Sequence, residues 1–320
     1  MMICCYSGAV IRALFRTKGS FQSIEGMSSK PSGNTDCQAA HGSQMEGAMK
    51  TAAITIDVED WFQSITMRPH YPIETWSDKD LTLIEPLTYV LDTLAEFQIS
   101  ATFFVLGWFA EYHPRILHMI LDRGHEIASH GMTHKPNNLL DDEALQYEIL
   151  QSKLSIEKVI GRQVLGYRAA SFSISARVLE VVRESGYKYD SSLHRARGNS
   201  LYGDVTSGEV SEMIINGLKV FEIPTGKVFG LTIPFSGGTY FRMLPFRMLK
   251  HMARHAQRRP LILYFHPCDF DPRWLRMSVL PMRLRVRGGL GASANKRRFR
   301  EFIRWLKHQG YSFKRMKELI

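Results

Sequence analysis

The apolar residues of this chain change period again and again, from continuous runs to helical stripes and back. Residues 51–56 form a run without a charged residue, as a strand covered on both faces would. Pro86 suits a first helical turn, and Leu87, Val90, Leu91, Leu94 and Phe97 after it share one helical stripe. Residues 101–106 give a second buried run. Pro114 opens a helix with Ile116, Leu117, Ile120 and Leu121, stopped by Gly124, and residues 126–129 make a short strand. Asp141 can cap a helix bearing Leu145, Ile149 and Ile156, ended by Gly161. Further on, the pattern predicts strands over 164–167, 187–189, 219–223 and 261–265. Helices are predicted over 176–185, 244–257 and 296–309, the last with Phe299, Phe302, Ile303 and Leu306 inward.

Strand and helix in alternation predict an α/β fold: a parallel sheet with helices outside, either open and doubly wound or curled into a barrel. Asp57, His130, Arg168, Asp190 and His266 all fall at or just after the ends of different strands. In a β/α barrel those ends converge on one face, so the barrel is the expectation. Residues 1–48 show no period. They read as a disordered or mis-annotated tail, with Met49 as an alternative start, and 49–320 as the folded unit with a basic helical extension at its end.

Charge adds little to the fold but bears on partners. The net charge of +10 permits attraction to acidic polymers or anionic lipid, and much of it lies in Arg283, Arg285, Arg287, Lys296, Arg297, Arg298 and Arg300. No nucleic-acid recognition motif accompanies it, so nucleic acid is not an expected partner, whereas transient contact with a membrane surface is. Four scattered cysteines offer no disulfide or zinc framework. Without a basic-led signal or a long apolar span, a cytoplasmic protein is expected.

The chemistry is concentrated in a few residues. Asp57-Val58-Glu59-Asp60 sets three carboxylates after an apolar strand, an arrangement that repels itself if buried without a cation. His130 and His134, four apart, can present both imidazoles to one side. With one carboxylate they leave room on a zinc-like ion for water and substrate. Taken alone, the acidic run also fits a solvated turn and the histidines a structural pair. His266 at an apolar strand end suits a general acid, and Arg168 a carboxylate clamp.

Five segments in order carry a resemblance. They are Thr55-Ile56-Asp57-Val58-Glu59-Asp60, Ser129-His130-Gly131-Met132-Thr133-His134, Tyr167-Arg168-Ala169-Ala170, Tyr189-Asp190-Ser191-Ser192 and Leu263-Tyr264-Phe265-His266-Pro267. Over residues 50–270 the chain resembles the polysaccharide deacetylase family, also called NodB homology or carbohydrate esterase 4. The Asp57–Phe62 opening, residues 235–242 and residues 266–272 are similar to its exosortase- and exopolysaccharide-associated branch. The resemblance implies a distorted (β/α) barrel and metal-dependent removal of acetyl groups from N-acetylated glycans. It also implies one divalent ion, Zn2+ before Co2+. Asp57 matches the base, His130 and His134 the metal ligands, Arg168 the residue orienting the base, His266 the acid, and Asp190 a support for that acid. Val58 stands where the family has an adjacent aspartate ligand, which leaves Glu59 or Asp60 as the third ligand. Ala170 replaces a proline and loosens the arginine loop. Trp61, Phe62, Tyr240 and Phe241 are candidates for an aromatic floor under sugar rings. A cyclic amide or imide hydrolase and an inactive glycan-binding module remain the alternatives.

Overall fold

The computed structural model describes residues 50–194, 212–228, 231–256, 260–273 and 281–320. The apolar run at the start becomes β1 (Lys50–Val58), buried along most of its length. After it come α1 (Ile84–Glu96), β2 (Thr102–Val105), α2 (Gly107–Tyr112), α3 (Arg115–Leu121) and β3 (Glu126–Ser129). The next helical stretch is α4 (Asp142–Gln146), a π turn (Tyr147–Gln151) and α5 (Ser152–Ile160), followed by β4 (Gly166–Tyr167), α6 (Ala176–Glu184) and β5 (Tyr189–Leu193). Beyond these lie β6 (Glu212–Ile215), β7 (Leu218–Glu222), β8 (Gly226–Val228), β9 (Leu231–Ile233), α7 (Gly238–Met243) and α8 (Phe246–His255). The remainder holds β10 (Leu261–Phe265), α9 (Met282–Gly289), α10 (Ala292–His308) and β11 (Tyr311–Phe313).

One sheet runs in the order β10-β1-β2-β3-β4-β5-β7-β6, and β11 pairs with the first residues of β1. Its pairings are parallel except β6 with β7. The sheet curls into a half-barrel: β10 and β6 lie at the two ends of the pairing order. Inside the curl, Ala53, Phe104, Ala128, Tyr189, Ile262, Tyr264 and Met316 form a single buried cluster. Because side chains alternate along a strand, β1 sends Ala53, Thr55 and Asp57 to the same face. Ala53 packs in the core, while Thr55 and Asp57 meet Arg168. Gly237 runs beside β10, bridged to Tyr264, where a Cβ would sit 1.7 Å from the Tyr264 carbonyl oxygen. Only glycine permits that approach.

Several elements depart from the sequence pattern for local reasons. The predicted 244–257 helix begins at Phe246 because Pro245 is its N-cap, and 238–243 forms a helix of its own. The β6–β7 hairpin turns on Asn216 (φ 48°) and Gly217 (φ 87°), the left-handed pair that a tight hairpin requires. β11 is three residues long, too short for a period to show. Residues 1–48 lie outside the described residues.

Candidate active site

His130 and His134 follow β3 in an irregular loop, not on a helix. Gly131 takes φ +81°, and a Cβ there would stand 2.9 Å from Glu148 Oε1, so glycine is required twice over. His134 itself sits at φ +58°, a costly conformation for a residue with a Cβ. Glu148 holds this loop. Its carboxylate accepts from Thr133 N at 2.6 Å, from Thr133 Oγ1 at 2.8 Å and from Lys135 N at 3.3 Å, and its carbonyl accepts from Met132 N at 3.0 Å. Glu148 is buried on the π turn, whose extra residue interrupts the helical ladder beside this loop.

The imidazoles of His130 and His134 lie 5.2 Å apart between ring centres. His130 Nδ1 is 2.8 Å from the Arg168 carbonyl, which leaves Nε2 to face the site. Burial drives the His130 pKa down to about 4, a neutral imidazole of the kind a cation needs. Glu59 completes the cluster: Glu59, His130 and His134 offer ligand atoms all within 4.8 Å of one another. Glu59 Oε2 lies 2.9 Å from His134 Nε2, yet no donor is aligned to hydrogen-bond it, and the atom is buried. Burial would raise this carboxyl, but the close approach of His134 and the neighbouring imidazoles of His266 and His130 outweigh it and hold the pKa at about 2. A permanently ionised, under-satisfied carboxylate against two imidazoles fits a divalent cation.

Asp60 is the correction. It is buried and turned elsewhere, accepting from Trp61 N at 2.8 Å, Thr82 N at 2.6 Å, Thr82 Oγ1 at 2.6 Å and Leu83 N at 3.0 Å. These donors satisfy its oxygens, so Asp60 pins the loop before α1 and is not among the clustered ligands.

Asp57 Oδ1 is 2.7 Å from Arg168 Nη1. The same nitrogen donates to Thr55 Oγ1 at 2.8 Å, while Nε and Nη2 donate to the carbonyl and hydroxyl of Ser191 at 3.0 and 2.8 Å. The guanidinium also stacks 4.0 Å from the Phe104 ring centre. Arg168 is thus fully buried with its donors used, and it fixes Asp57 from one side only. Asp57 Oδ2 faces His266 Nε2 at 3.8 Å. His266 Nε2 also lies 3.5 Å from Glu59 Oε1.

The support of His266 is Asp269, a residue to which the sequence pattern gave no role. Asp269 Oδ2 accepts from the His266 backbone N–H at 2.9 Å and lies 3.2 Å from its Nδ1. Burial opposes the charged imidazole, but Asp269, Glu59 and Asp57 together raise it to about 9. Behind Asp269, Arg242 Nε approaches Oδ1 at 3.7 Å, and Asn295 Nδ2 donates to the Asp269 carbonyl at 3.0 Å. Asp190 does not reach His266. Both its oxygens are taken by Ser192, whose backbone N–H and hydroxyl donate at 2.8 and 2.7 Å. The signal available in the sequence was the i, i+3 spacing of His266 and Asp269 across a proline, which starts the short turn Pro267–Phe270.

Around these groups lies a cleft of about 130 Å³ lined by Asp57, Glu59, His130, His134, His266 and Phe172, with Ser64, Ile65 and Thr66 opposite. The expected aromatic floor is absent from it. Trp61, Phe62 and Phe241 are buried in the core, where Phe62 packs edge-on to Trp76 and Phe241 to Phe265. Ala170 is the first residue of a short 3₁₀ turn after Ala169 (φ −69°, ψ 138°), the backbone setting a proline would also accept.

Residues 80–189 match a family model described as polysaccharide deacetylase, and residues 191–320 match one described as a domain of unknown function, DUF3473. The chain is 33% identical over 99 residues to a peptidoglycan-N-acetylglucosamine deacetylase of Bacillus cereus, which is 31% of this chain and 46% of that protein. It is 40% identical over 67 residues to a chitooligosaccharide deacetylase of Rhizobium leguminosarum bv. trifolii, covering 21% of this chain and 31% of that one. The chain therefore spans less than half the length of these relatives. Among solved structures, a Mycobacterium smegmatis protein described as a polysaccharide deacetylase superposes with a TM-score of 0.57 at 21% identity, over 85% of this chain and 90% of the other. A carbohydrate esterase 4 pseudoenzyme from Bacillus anthracis does so with a TM-score of 0.50 at 16% identity, over 85% and 65%. These two likenesses concern the fold. Each matched model holds part of the site: His130, His134 and Arg168 lie in the first and His266 and Asp269 in the second, while Asp57 and Glu59 precede both.

Proposed function

We propose, from the match of residues 80–189 to the polysaccharide deacetylase model and of residues 191–320 to the DUF3473 model, that this protein hydrolyses the acetamide of N-acetylated sugars in a polysaccharide or its lipid-linked precursor. The observation that carries the reading is the convergence of Asp57, Glu59, His130, His134 and His266 on one cleft from strands β1, β3 and β10. Glu59, His130 and His134 would hold a divalent ion, zinc in this proposal. Bound there, it would acidify a water and polarise a carbonyl oxygen.

The chain's own residues account for the proton transfers. Arg168 occupies Asp57 Oδ1, so that Oδ2 stays open on the cleft side to accept a proton from the attacking water. His266 faces the same space with a proton on Nε2, and Asp269 fixes its ring through Nδ1. That proton goes to the nitrogen leaving the tetrahedral centre. Acetate and a free amine are the products. The cleft is small, about 130 Å³, so the acetamide group enters it while the sugar lies across its mouth. The same narrowness supports a second reading, opening of a small cyclic amide, in which the whole ring would enter.

Acetate release separates the readings. Full-length protein loaded with zinc is incubated with N-acetylated chitin and peptidoglycan oligosaccharides and with cyclic imides, with and without chelator. Acetate from a glycan, abolished by chelator and by Asp57→Asn while bound zinc persists, supports deacetylation. Turnover of Asp57→Asn at the parent rate would overturn the role of Asp57, and ring opening without acetate release would select the second reading.

A further inference from the structure

The segment matched to the model of unknown function ends in two helices that stay out of the cleft. Among the described residues, none of α9 or α10 lines it. The two helices instead close around Asp269, the residue that grips His266. Asp269 is buried, and its Oδ2 serves the backbone N–H and Nδ1 of His266. Its other oxygen, Oδ1, faces Arg242 Nε at 3.7 Å. That is too long for a hydrogen bond, so the arginine acts there as the counter-charge to a buried carboxylate.

Arg242 is itself anchored at two further points. Nη2 donates to Thr239 Oγ1 at 3.2 Å, one turn back on α7, and Nη1 donates to the Gly288 carbonyl in the last turn of α9. A guanidinium is planar, so fixing two of its nitrogens fixes the direction of the third. The corner between α9 and α10 packs on the same residue. Gly291 takes φ +77° there, and a Cβ on it would lie 3.6 Å from the Arg242 carbonyl oxygen. From α10, Arg298 donates to the carbonyls of Phe241 and Leu244, on either side of Arg242. Asn295, fully buried on that helix, donates to the Asp269 carbonyl at 3.0 Å, and the Phe299 ring packs 5.2 Å from that of Phe270. One helix therefore holds both the segment that carries Arg242 and the turn that carries Asp269.

We propose that Arg242 is a positioning residue for proton donation by His266, acting through Asp269, and that seating it is what the α9–α10 corner contributes to the reaction. Arg242 touches no reacting group. Its charge and its anchored fork keep Asp269 Oδ1 turned inward, so that Oδ2 stays on the imidazole and Nε2 stays aimed at the cleft. The inference rests on the deacetylase reading for the step it serves. An amine leaves the tetrahedral centre only as it gains a proton, so a ring turned away from that nitrogen stalls an amide. An activated ester differs: a nitrophenolate leaves without a proton and needs only the attack of water.

The test compares two substrates on the zinc-loaded full chain. N-acetylated chitin oligosaccharides are followed by acetate release, and para-nitrophenyl acetate by release of nitrophenolate. Arg242→Gln should lower kcat on the glycan at least about tenfold with KM within about twofold, while ester turnover falls by no more than about threefold. Zinc uptake should stay at the parent level. Arg242→Lys keeps the charge but not the fork and should recover part of the glycan rate. Equal losses on both substrates would overturn the proposal, since general loosening of the fold slows both. Thr239→Val removes one anchor only, and should give the same split at about two- to fivefold even where Arg242→Gln fails to fold. A measurement without substrate separates this role from the deacetylase reading. The His266 ring N–H held by Asp269 gives a downfield proton resonance, identified by its loss in His266→Gln. In Arg242→Gln it should broaden through exchange with water. An unchanged resonance overturns the positioning role. Broadening in a chain whose parent releases acetate from no glycan supports the positioning role and overturns the deacetylase reading instead.

Discussion

Asp269 grips His266 at two points, with the same carboxylate oxygen 2.9 Å from the histidine's backbone nitrogen and 3.2 Å from its ring nitrogen Nδ1. One acceptor thus fixes both the main chain and the plane of the ring, so rotation of the imidazole breaks a bond. The pair also sets protonation: His266 is raised to about 9. A histidine whose folded pKa exceeds its ordinary 6.5 contributes stability that is full below about 6.5 and fades as pH rises through about 9. Asp269→Asn keeps the shape and removes the charge. Acetate release should fall by about ten- to a hundredfold near neutrality, and the alkaline limb of the rate profile should move to lower pH. A profile of unchanged shape would assign Asp269 to packing alone.

Glu59 and Asp60 are neighbours with opposite predicted responses. Glu59→Gln removes a ligand charge from the cluster and should reduce zinc uptake by at least about tenfold in calorimetric titration, with little change in melting. Asp60→Ala strips the acceptor from four hydrogen bonds before α1 and should destabilise by about 2–4 kcal/mol while zinc still binds. Reversal of the two outcomes would exchange their roles.

Glu148 touches neither the cleft nor an expected substrate, yet it organises the histidine loop. Glu148→Ala would release Thr133 and Lys135 and let His134 leave its left-handed conformation. A loss of about ten- to a hundredfold in zinc affinity is expected, as for partners that orient metal ligands. Titration of the variant with zinc, beside its circular dichroism, checks this.

Burial raises Asp190 to about 7, against the partial compensation of the Ser192 hydrogen bonds. A carboxyl with a folded pKa above the ordinary value binds more protons folded than unfolded between about 4 and 7. Stability contributed by it therefore falls as pH rises across that window. Asp190→Asn should flatten this part of the stability profile and leave acetate release within about threefold, because Asp190 orients Ser192 and not His266. Urea unfolding at pH 4, 5.5 and 7 gives the comparison.

The sequence made β1, β2 and β10 legible because each contains a buried run without charged residues, and β3 as a short strand after the Gly124 stop. It also placed Asp57, His130, Arg168 and His266 at strand ends, and a curled sheet brings such ends together. The choice between Glu59 and Asp60 was not legible. The chain bends after Val58, and only the distant Thr82 and Leu83 reveal which carboxylate is already satisfied. Asp269 was hidden for a related reason: a histidine's partner three residues away looks like any acidic residue in a turn. Glu148 lies 14 residues beyond His134 on a helix whose π turn leaves no mark in the apolar period. The pairing of β11 with β1 joins segments too far apart for any periodic signal.

That pairing also orders events in time. Ser312 meets Lys50 across 262 residues of sequence, and Thr55 meets Leu263 across 208. The first strand of the sheet to be synthesised thus waits for partners made long after it, a topology of high contact order and slow closure. A fragment ending near residue 190, where one matched family model gives way to the other, would leave β1 with one edge bare and Asp57 without His266. Expression of such a fragment should yield chaperone-bound or aggregated chains, whereas a soluble fragment that melts cooperatively would show that the two matched segments fold apart.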